Sequence, residues 1–139
     1  MKFFVDTNIF LRTLIREDEE TYQDCYKFFE FVKLNKIKAV TSHIVLAEIA
    51  WTLSSYYGFS KKKVAQALKG IINLRGLAFS DSYQALSALD MFEQKPVKFI
   101  DALLASIKEI KEKKWKVVSY DRDFDKLGVV RIEPKEIIL

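Results

Sequence analysis

The stretch KFFVDTNIFL, residues 2–11, joins a run of apolar residues to three polar ones and then returns to apolar side chains. Residues 3–5 have the character of a short buried strand, and residues 9–11 resume the apolar pattern. The triplet Asp6-Thr7-Asn8 has two explanations. It ends a strand and caps a helix, since Asp, Thr and Asn are favoured N-cap residues. Alternatively, Asp6 is a carboxylate at the C-terminal end of a buried strand, where α/β proteins bind ligands.

The length predicts one folded domain spanning residues 1–139, because a chain of 139 residues is too short for two ordinary domains. Half of the residues are hydrophobic, which disfavours disorder. No apolar run approaches the roughly eighteen residues of a membrane-spanning helix, so no membrane partner is expected. The first fifteen residues resemble a signal peptide only loosely, because Asp6, Asn8 and Arg12 interrupt them. A single cysteine, Cys25, excludes an internal disulfide and fits the reducing cytoplasm.

The net charge of +4 permits a nucleic-acid partner without requiring one. The lysines form two local clusters. They are Lys61-Lys62-Lys63 and the set Lys108, Lys111, Lys113, Lys114 and Lys116. Each cluster taken alone is typical of a solvated helix face.

Short apolar segments alternate with helical patterns along the chain. Strands are predicted over residues 2–5, 38–41, 77–79, 116–119 and 129–132. Helices are predicted directly after Asp6, over residues 19–35 and 42–58, from Ser60 onward, and over 80–94 and 100–113, with a short turn or helix over 123–127. This alternation predicts an α/β fold with a largely parallel sheet and helices on both faces.

Four acidic residues stand in apolar surroundings where a solvated acid is not expected. They are Asp6, Glu48 in HIVLAEIAW, Asp101 in VKFIDALLAS and Asp121 in KVVSYDRDF. A buried carboxylate is costly unless it is paired or bound to a cation. These four are therefore the candidate functional residues.

The predicted sheet brings the four acids together, because the C-terminal ends of parallel strands share one edge. Asp6 and Asp121 follow strands directly. Glu48 lies roughly 9 Å along a helix that starts at Ser42, at 1.5 Å per residue, and Asp101 begins its helix at the same end. With no cationic side chain expected between them, they cannot all ionise at close range. All-oxygen ligands favour Mg²⁺ or Mn²⁺ over zinc.

A carboxylate cluster holding one or two such ions is suited to the hydrolysis of phosphodiesters, since the ions activate water and stabilise the leaving oxygen. Thr7, Asn8 and Ser119 are expected to hydrogen-bond the phosphate or a water molecule. His43 is the only histidine, so no Ser/His/Asp or Cys/His arrangement competes. A lone histidine of this kind is more often structural or exposed.

The sequence resembles the PIN domain, and within it the VapC-like toxins of bacterial and archaeal toxin–antitoxin pairs. Four segments carry the resemblance in order along essentially the whole chain. They are Asp6-Thr7-Asn8, Ser42 to Glu48 (SHIVLAE), Asp101 to Ser106 (DALLAS) and Ser119 to Phe124 (SYDRDF). Each motif alone is weakly specific, whereas four in register are strongly specific.

The resemblance implies a PIN-like three-layer α/β/α sandwich with a central, mainly parallel sheet, and a Mg²⁺- or Mn²⁺-dependent endoribonuclease. It assigns the catalytic and metal-binding roles to the four acids already singled out: Asp6, Glu48, Asp101 and Asp121. Asn8 and Ser119 match supporting positions, and many relatives have Thr where this chain has Ser119. Asp123 and Asp125 either supplement the acidic cluster or cap a short helix.

The resemblance also implies three partners: an RNA substrate, a small VapB-like antitoxin placed over or beside the acidic cleft, and a second copy in a homodimer. It gives the lysine clusters a role as contacts to the RNA backbone, and Tyr56-Tyr57 offers apolar surface for protein contacts. Two alternatives stay open, a PIN nuclease of RNA processing or decay and a non-catalytic RNA-binding module. A haloacid-dehalogenase-like phosphatase is disfavoured, because Asn8 stands where that family needs a second Asp.

Overall fold

The structure is a computed structural model that describes residues 1–138. Its centre is a parallel sheet of five strands in the order β3-β2-β1-β4-β5 within these residues. The strands are β1 (Lys2–Val5), β2 (Lys38–Thr41), β3 (Leu77–Phe79), β4 (Trp115–Val118) and β5 (Arg131–Ile132). The predicted α/β fold with a mainly parallel sheet is confirmed.

Eight α-helices cover the two faces of the sheet in the described part of the chain, which completes the three-layer α/β/α sandwich. They are α1 (Thr7–Leu14), α2 (Glu19–Lys33), α3 (His43–Ser55), α4 (Lys61–Ile72), α5 (Ala85–Gln94), α6 (Phe99–Ala105), α7 (Lys108–Lys111) and α8 (Pro134–Ile137). A 3₁₀ turn covers Arg122–Lys126. Two predicted helix starts are confirmed, because Ser42 Oγ accepts from Val45 N and Ser60 Oγ accepts from Lys63 N.

Burial increases along each central strand from its N-terminal to its C-terminal end. Lys2 and Lys38 are exposed at the starts of β1 and β2, whereas Val5 and Val118 are fully buried near the ends of β1 and β4. In the middle of the sheet Phe4 lies in register with valines of both neighbouring strands. The residues that follow the strands therefore emerge from the apolar core rather than from solvent.

Strand β1 lies at the centre of the sheet, and the later strands are added on both sides of it. From β1 it proceeds to β2 and β3 on one side, and β4 and β5 later fill the other side. The ladder continues one residue past β1, since Asp6 N donates to Val118 O at 3.1 Å. The C-terminal edge between β1 and β4 is thus a topological switch point, where open α/β sheets form their ligand-binding crevices.

One glycine is required by close packing. Gly76 has a φ of +90°, and a Cβ atom there would lie 2.5 Å from the carbonyl oxygen of Val32. Because only glycine combines that conformation with that approach, the entry to β3 can pack directly on the end of α2.

Two predicted helices are wrong in part. The helix predicted over 80–94 begins only at Ala85, because Ser80 N still donates to the β2 carbonyl of Thr41 and the preceding loop is held by contacts of Asp81. The helix predicted over 100–113 is two helices. Ser106 Oγ donates to Leu103 O at 2.6 Å and accepts from Gln84 N at 3.0 Å, and the chain is non-helical at Ile107.

The last elements also differ slightly from the predictions. The strand predicted over 129–132 is confined to Arg131–Ile132, although the Val130 carbonyl still accepts from Val117 N at 2.8 Å. The strand predicted over 116–119 ends at Val118, so Ser119 lies just beyond the sheet. Helix α8 has no counterpart among the predicted elements; it packs against α2.

Candidate functional site

An acidic cleft of about 180 Å³ opens at the switch point of the sheet. The C-terminal end of β1 and the starts of α1 and α6 form it, together with the second turn of α3 and the segment after β4. Its lining residues are Asp6, Thr7, Asn8, Leu11, Glu48, Thr52, Lys98, Asp101 and Asp121. All four acids singled out in the sequence therefore lie around one cleft, and their role as ligands stays a prediction.

Asp6 occupies the N-cap position of α1, but its side chain makes no capping hydrogen bond. Instead, Asp6 Oδ2 accepts from Ser119 Oγ at 2.6 Å and from Asn8 Nδ2 at 3.1 Å. The residue is only 3% exposed, and burial raises the pKa of Asp6 to about 6 despite the bond from Ser119. The capping explanation of the opening triplet thus accounts for the backbone but not for the carboxylate.

Ser119 joins the two central strands through one hydroxyl group. Its Oγ donates to Asp6 and accepts from Asn8 Nδ2 at 3.1 Å and from Asp121 N at 2.9 Å. Asn8 Oδ1 in turn accepts from Tyr120 N at 3.1 Å. Two of the predicted supporting residues therefore hold the acids in place within a closed network, rather than projecting into the cleft as free donors.

Thr7 supports the acid on α3. Its Oγ1 donates to Glu48 Oε1, so the first residue of α1 fixes a carboxylate that comes from 41 residues further along the chain. Glu48 is half-buried on the cleft side of α3. The long Glu side chain reaches the sheet edge as expected from its position one to two turns after the Ser42 cap.

Asp101 is the least satisfied acid of the cleft. It is 3% exposed, and its Oδ2 is buried with no hydrogen-bond partner among the described residues. Burial, followed by the nearby Asp6 charge, raises the pKa of Asp101 to about 8. A buried unpartnered polar atom costs about 1–3 kcal/mol, so the fold keeps this carboxyl group at the expense of its own stability.

Asp121 differs from Asp101 because it has several partners. It caps the 3₁₀ turn, with Oδ1 accepting from Asp123 N at 2.9 Å. Lys98 Nζ lies 3.4 Å from Asp121 Oδ2. Burial acts to raise the pKa of Asp121, but the Asp123 backbone N–H, the adjacent Asp101 and the Lys98 ammonium together hold it below its ordinary value.

Lys98 corrects one expectation from the sequence, which placed no cationic side chain between the acids. Its Nζ lies 3.9 Å from Asp101 Oδ2 as well as close to Asp121. Burial acts to lower the pKa of Lys98, but the two carboxylates outweigh it and raise the pKa above its ordinary value. A lysine three residues before Asp101 shares its helix face, and that spacing was the signal available in the sequence.

Asp123 and Asp125 differ in their distance from the cleft and in their ion-pair partners. Asp123 offers an oxygen within 4.8 Å of ligand atoms on Asp101 and Asp121, and it also pairs with Lys126 at 3.0 Å. Asp125 pairs with Arg131 at 3.0 Å outside the cleft. The capping residue of the 3₁₀ turn is Asp121, so neither of the two has the capping role considered for them.

The donor set fits a hard divalent cation. The cleft presents carboxylate, amide and hydroxyl oxygens, with no thiol or imidazole among its lining residues in the described part of the chain. Asp101 Oδ2 supplies an oxygen that has no hydrogen bond from any described residue. Oxygen-only sites with several carboxylates favour Mg²⁺ or Mn²⁺. Asp6, Glu48, Asp101 and Asp121 are the residues that would hold it.

The other two residues weighed in the sequence lie outside the cleft. His43 is exposed and bonded to Asp81, whose Oδ1 accepts from His43 N at 2.9 Å and whose Oδ2 contacts His43 Nδ1 at 2.5 Å. Cys25 is buried beside Tyr120, and burial raises the pKa of its thiol to about 11. Both observations agree with structural roles.

The fold and the cleft define a class of protein, an α/β sandwich that gathers four acids at the switch point of its sheet. The sequence matches the family model of the PIN domain over residues 3–130. The chain therefore belongs to the PIN domain family, as its motifs predicted. No curated protein matches the chain significantly.

Solved structures share this fold at low sequence identity. PAE2754 from Pyrobaculum aerophilum is 12% identical with a TM-score of 0.68, covering 99% of this chain and 93% of that one. VapBC2 from Rickettsia felis, bound to a promoter DNA fragment, is 17% identical with a TM-score of 0.67, covering 96% and 98%. VapC20 from Mycobacterium tuberculosis, a toxin that cleaves the sarcin-ricin loop, is 18% identical with a TM-score of 0.63, covering 94% and 98%.

Among the described residues, the helices are too short or too polar to span a membrane.

Proposed function

We propose that the protein is a Mg²⁺- or Mn²⁺-dependent endoribonuclease, and that it is the toxin of a toxin–antitoxin pair. One observation carries the proposal: four carboxylates converge at the switch point of the sheet, and the buried Oδ2 of Asp101 has no hydrogen-bond partner and only a distant ammonium group, Lys98 Nζ at 3.9 Å. Such an arrangement is costly to the fold and is explained by a bound cation. Membership of the PIN domain family supports the nuclease class.

When bound, the metal would supply an activated water and a Lewis acid for an oxygen of the phosphodiester. The protein supplies a rigid frame for the carboxylates. Ser119 and Asn8 hold Asp6 from one side, and Thr7 holds Glu48 from the other. In-line attack on phosphorus would leave 5′-phosphate and 3′-hydroxyl ends.

The proposed RNA path continues from the acidic cleft along α1. A neighbouring depression of about 170 Å³ shares Asn8 and Leu11 with the cleft and adds Arg12 and Tyr57. A guanidinium and an aromatic ring in one groove suit a phosphate and a stacked base of single-stranded RNA. Arg12 is therefore a stronger candidate for contact with the RNA backbone than the lysine set from Lys108 to Lys116.

The lysine set from Lys108 to Lys116 lies away from this path. Lys116 is in β4 and pairs with Phe3 near the start of β1. It therefore lies toward the N-terminal ends of the strands, whereas the cleft lies at their C-terminal ends. Lys111 donates to Ser87 at 2.8 Å and Lys114 pairs with Glu112 at 3.2 Å. This set is better explained as a solvated surface.

The proposal includes a VapB-like antitoxin, a homodimer and a cytoplasmic location, with residues 1–139 acting as a single domain. An apolar groove of about 370 Å³ between α1, α2 and α4 offers a surface for an amphipathic segment of a partner. A second apolar surface, on α5 and α6, exposes Leu86, Leu89, Phe92 and Phe99. VapBC2 of Rickettsia felis shares this fold and supports the choice of partner.

The deciding experiment measures RNA cleavage by the wild type, Asp6→Asn and Asp101→Asn in Mg²⁺, in Mn²⁺ and in EDTA. The substrates are tRNA, ribosomal RNA fragments, unstructured RNA oligonucleotides and a single-stranded DNA of matched sequence. Asp90→Asn serves as the control, because Asp90 is an exposed acid on α5. We expect metal-dependent cuts in RNA by the wild type and Asp90→Asn, and none by the two cleft variants.

The alternatives are separated by this cleavage experiment together with measurements of metal binding and of growth on expression. Metal-dependent cleavage without growth arrest on expression, and without a neighbouring gene that relieves it, identifies a nuclease of RNA processing or decay. RNA binding without cleavage, together with no metal binding, identifies a non-catalytic module. Equal cleavage by the wild type and both cleft variants contradicts the proposed site.

A further inference from the structure

Lys98 lines the acidic cleft with a side chain that is 61% exposed, and its ammonium group faces two of the acids. It stands 3.4 Å from Asp121 Oδ2 and 3.9 Å from Asp101 Oδ2. Two carboxylates at these distances are partners of one positive charge, although only the shorter contact approaches hydrogen-bonding distance. Lys98 is the only lysine that lines this cleft within residues 1–138.

The backbone fixes the position from which the Lys98 side chain starts. It is the N-cap residue of α6, with extended dihedral angles, and its carbonyl accepts from Ala102 N at 3.2 Å. Val97 beside it is buried and anchors the loop that follows Pro96. Since Asp101 follows one helical turn later, the lysine stem starts at the rim of the cleft and its head group reaches inward.

The lysine divides the cleft into two unequal parts. On one side, Asp121 is satisfied by Lys98 and by Asp123 N. On the other side, Asp101 Oδ2 has no hydrogen bond, and the bonds that fix Asp6 go to a single oxygen, Oδ2. The ammonium group thus stands nearer to Asp121, at 3.4 Å, than to Asp101, at 3.9 Å, and the part of the cleft between Asp6 and Asp101 keeps an oxygen without a hydrogen bond for a metal ion.

We propose that Lys98 replaces one of two metal ions, so that the cleft binds a single divalent ion between Asp6 and Asp101 while the ammonium on Asp121 contacts the phosphate of the RNA. The inference rests on the proposed metal-dependent nuclease function. It answers a question that the motifs leave open, which is whether one or two ions are bound. It also makes Lys98 a catalytic residue of the reaction.

The physical reason is competition between cations for Asp121. A second divalent ion would have to displace the ammonium group and then stand close to both that ammonium and the first ion. A lysine ammonium is a compact charge with three donors, so it can bind a phosphate oxygen and a carboxylate together. A permanently attached cation therefore disfavours a second ion and retains a positive charge opposite the phosphate.

The test is a titration of the metal-free protein with Mn²⁺, with bound ion counted by electron paramagnetic resonance and by calorimetry. The variants are Lys98→Gln, which removes the charge, and Lys98→Arg, which keeps it. Lys95→Gln is the matched control, because Lys95 is an exposed lysine on the same loop. Thermal melting of each variant verifies that it is folded.

We expect one bound ion in the wild type, in Lys98→Arg and in Lys95→Gln, and two in Lys98→Gln. Cleavage by Lys98→Gln at limiting metal should fall by about 10²-fold, as for the loss of one group that stabilises developing charge. Excess metal should restore part of that loss, because a second ion can then occupy the position of the ammonium.

Three results would overturn the inference, and they are distinguishable. Two ions in the wild type would leave the nuclease proposal intact and remove the role of Lys98. One ion in both the wild type and Lys98→Gln, whatever the affinity, would show that the lysine does not occupy a metal position. No bound ion in any of the proteins would overturn the metal-dependent function as well.

Discussion

The two ends of the parallel sheet differ in charge and in burial. The starts of the central strands are exposed and basic, with Lys2 and Lys38 side by side in register. Their ends are fully buried, and β1 and β4 are followed by Asp6 and Asp121, which share one cleft with Glu48 and Asp101. Strands of four residues, each about 13 Å long, separate these two environments. Charge is inexpensive where water solvates it, so the informative end is the one where burial makes charge costly.

This difference argues that residue type alone is a poor guide to a functional site. The five lysines of the set from Lys108 to Lys116 outnumber the three aspartates shortly after β4, yet Lys114 is paired with Glu112 and Lys111 donates to Ser87. The cleft instead holds four carboxylates close together, one of which, Asp101, keeps a buried oxygen without a hydrogen bond. A group that the fold keeps at a cost is better evidence of function than a group that solvent accommodates.

The largest expected effect comes from comparing two variants that each remove one charge, at opposite ends of the β4 segment. Asp121→Asn should reduce kcat/KM for RNA cleavage by about 10³-fold, because it removes a carboxylate of the site and the partner of Lys98. Lys116→Gln, at the other end, should change kcat/KM by less than about twofold. Steady-state cleavage of one RNA oligonucleotide at saturating metal measures both. Similar losses in the two variants would contradict the distinction between the ends.

The next effect is on stability, and it has the opposite sign. In metal-free protein, Asp101→Asn should raise the free energy of unfolding at pH 8 by about 3 kcal/mol. This is roughly half of the ~6 kcal/mol that the full pKa shift corresponds to at about 1.4 kcal/mol per unit, because the buried asparagine amide also lacks hydrogen-bond partners. Asp101 has its pKa raised from 3.8 to about 8 by burial. Denaturant unfolding of the wild type and the variant measures the difference.

The pH dependence fixes the sign of that prediction. An acid whose pKa is raised by folding binds its proton longer in the native state, so native stability falls as pH rises from about 4 to about 8 and then levels off. Asp101→Asn should remove most of that decline in metal-free protein. If the stability difference between Asp101→Asn and the wild type did not increase over this range in EDTA, the assignment of a buried, uncompensated carboxyl group to Asp101 would be wrong.

Local signals account for the parts of the molecule that the sequence predicted. Strands β1, β2 and β3 have apolar runs bounded by polar residues, and Ser42 and Ser60 precede helices as caps. The acids stood out because each interrupted an apolar pattern. These features depend on near neighbours in the chain and on the general rule that parallel strands share their C-terminal edge.

The parts that were missed depend on contacts between distant residues. The break between α6 and α7 reflects Ser106 accepting from Gln84, which is 22 residues away. The late start of α5 reflects the contact of Asp81 with His43. Lys98 was visible as a neighbour of Asp101, but its contact with Asp121 requires the loop after Pro96 to fold against the end of β4. The local secondary-structure propensities of the residues do not predict such contacts between distant parts of the chain.

A smaller effect is expected from the hydroxyl group that joins the strands. Ser119→Ala should weaken Mn²⁺ binding by about tenfold, the lower range for loss of a group that orients a metal ligand. The alanine leaves Asp6 Oδ2 without its shortest bond and Asp121 N without its acceptor. Ser119→Thr keeps the hydroxyl and should bind Mn²⁺ within about threefold of wild type. Equal weakening in both variants would point to packing rather than to the hydrogen bonds.

The smallest expected effect tests which basic residues contact RNA. The double variant Lys114→Gln, Lys116→Gln should leave the affinity for an RNA oligonucleotide, measured in EDTA, within about twofold. Arg12→Gln should weaken binding severalfold and lower the slope of log affinity against log salt by about 0.7, as for one single-strand phosphate contact. Arg12 borders the depression beside the cleft, with its guanidinium 5.7 Å from the Tyr120 ring, whereas the two lysines lie at the far edge of the sheet. A larger decrease of this salt slope in the lysine double variant than in Arg12→Gln would mean that RNA binds across the basic end of the sheet. The contrast between the two ends would then concern substrate affinity as well as catalysis.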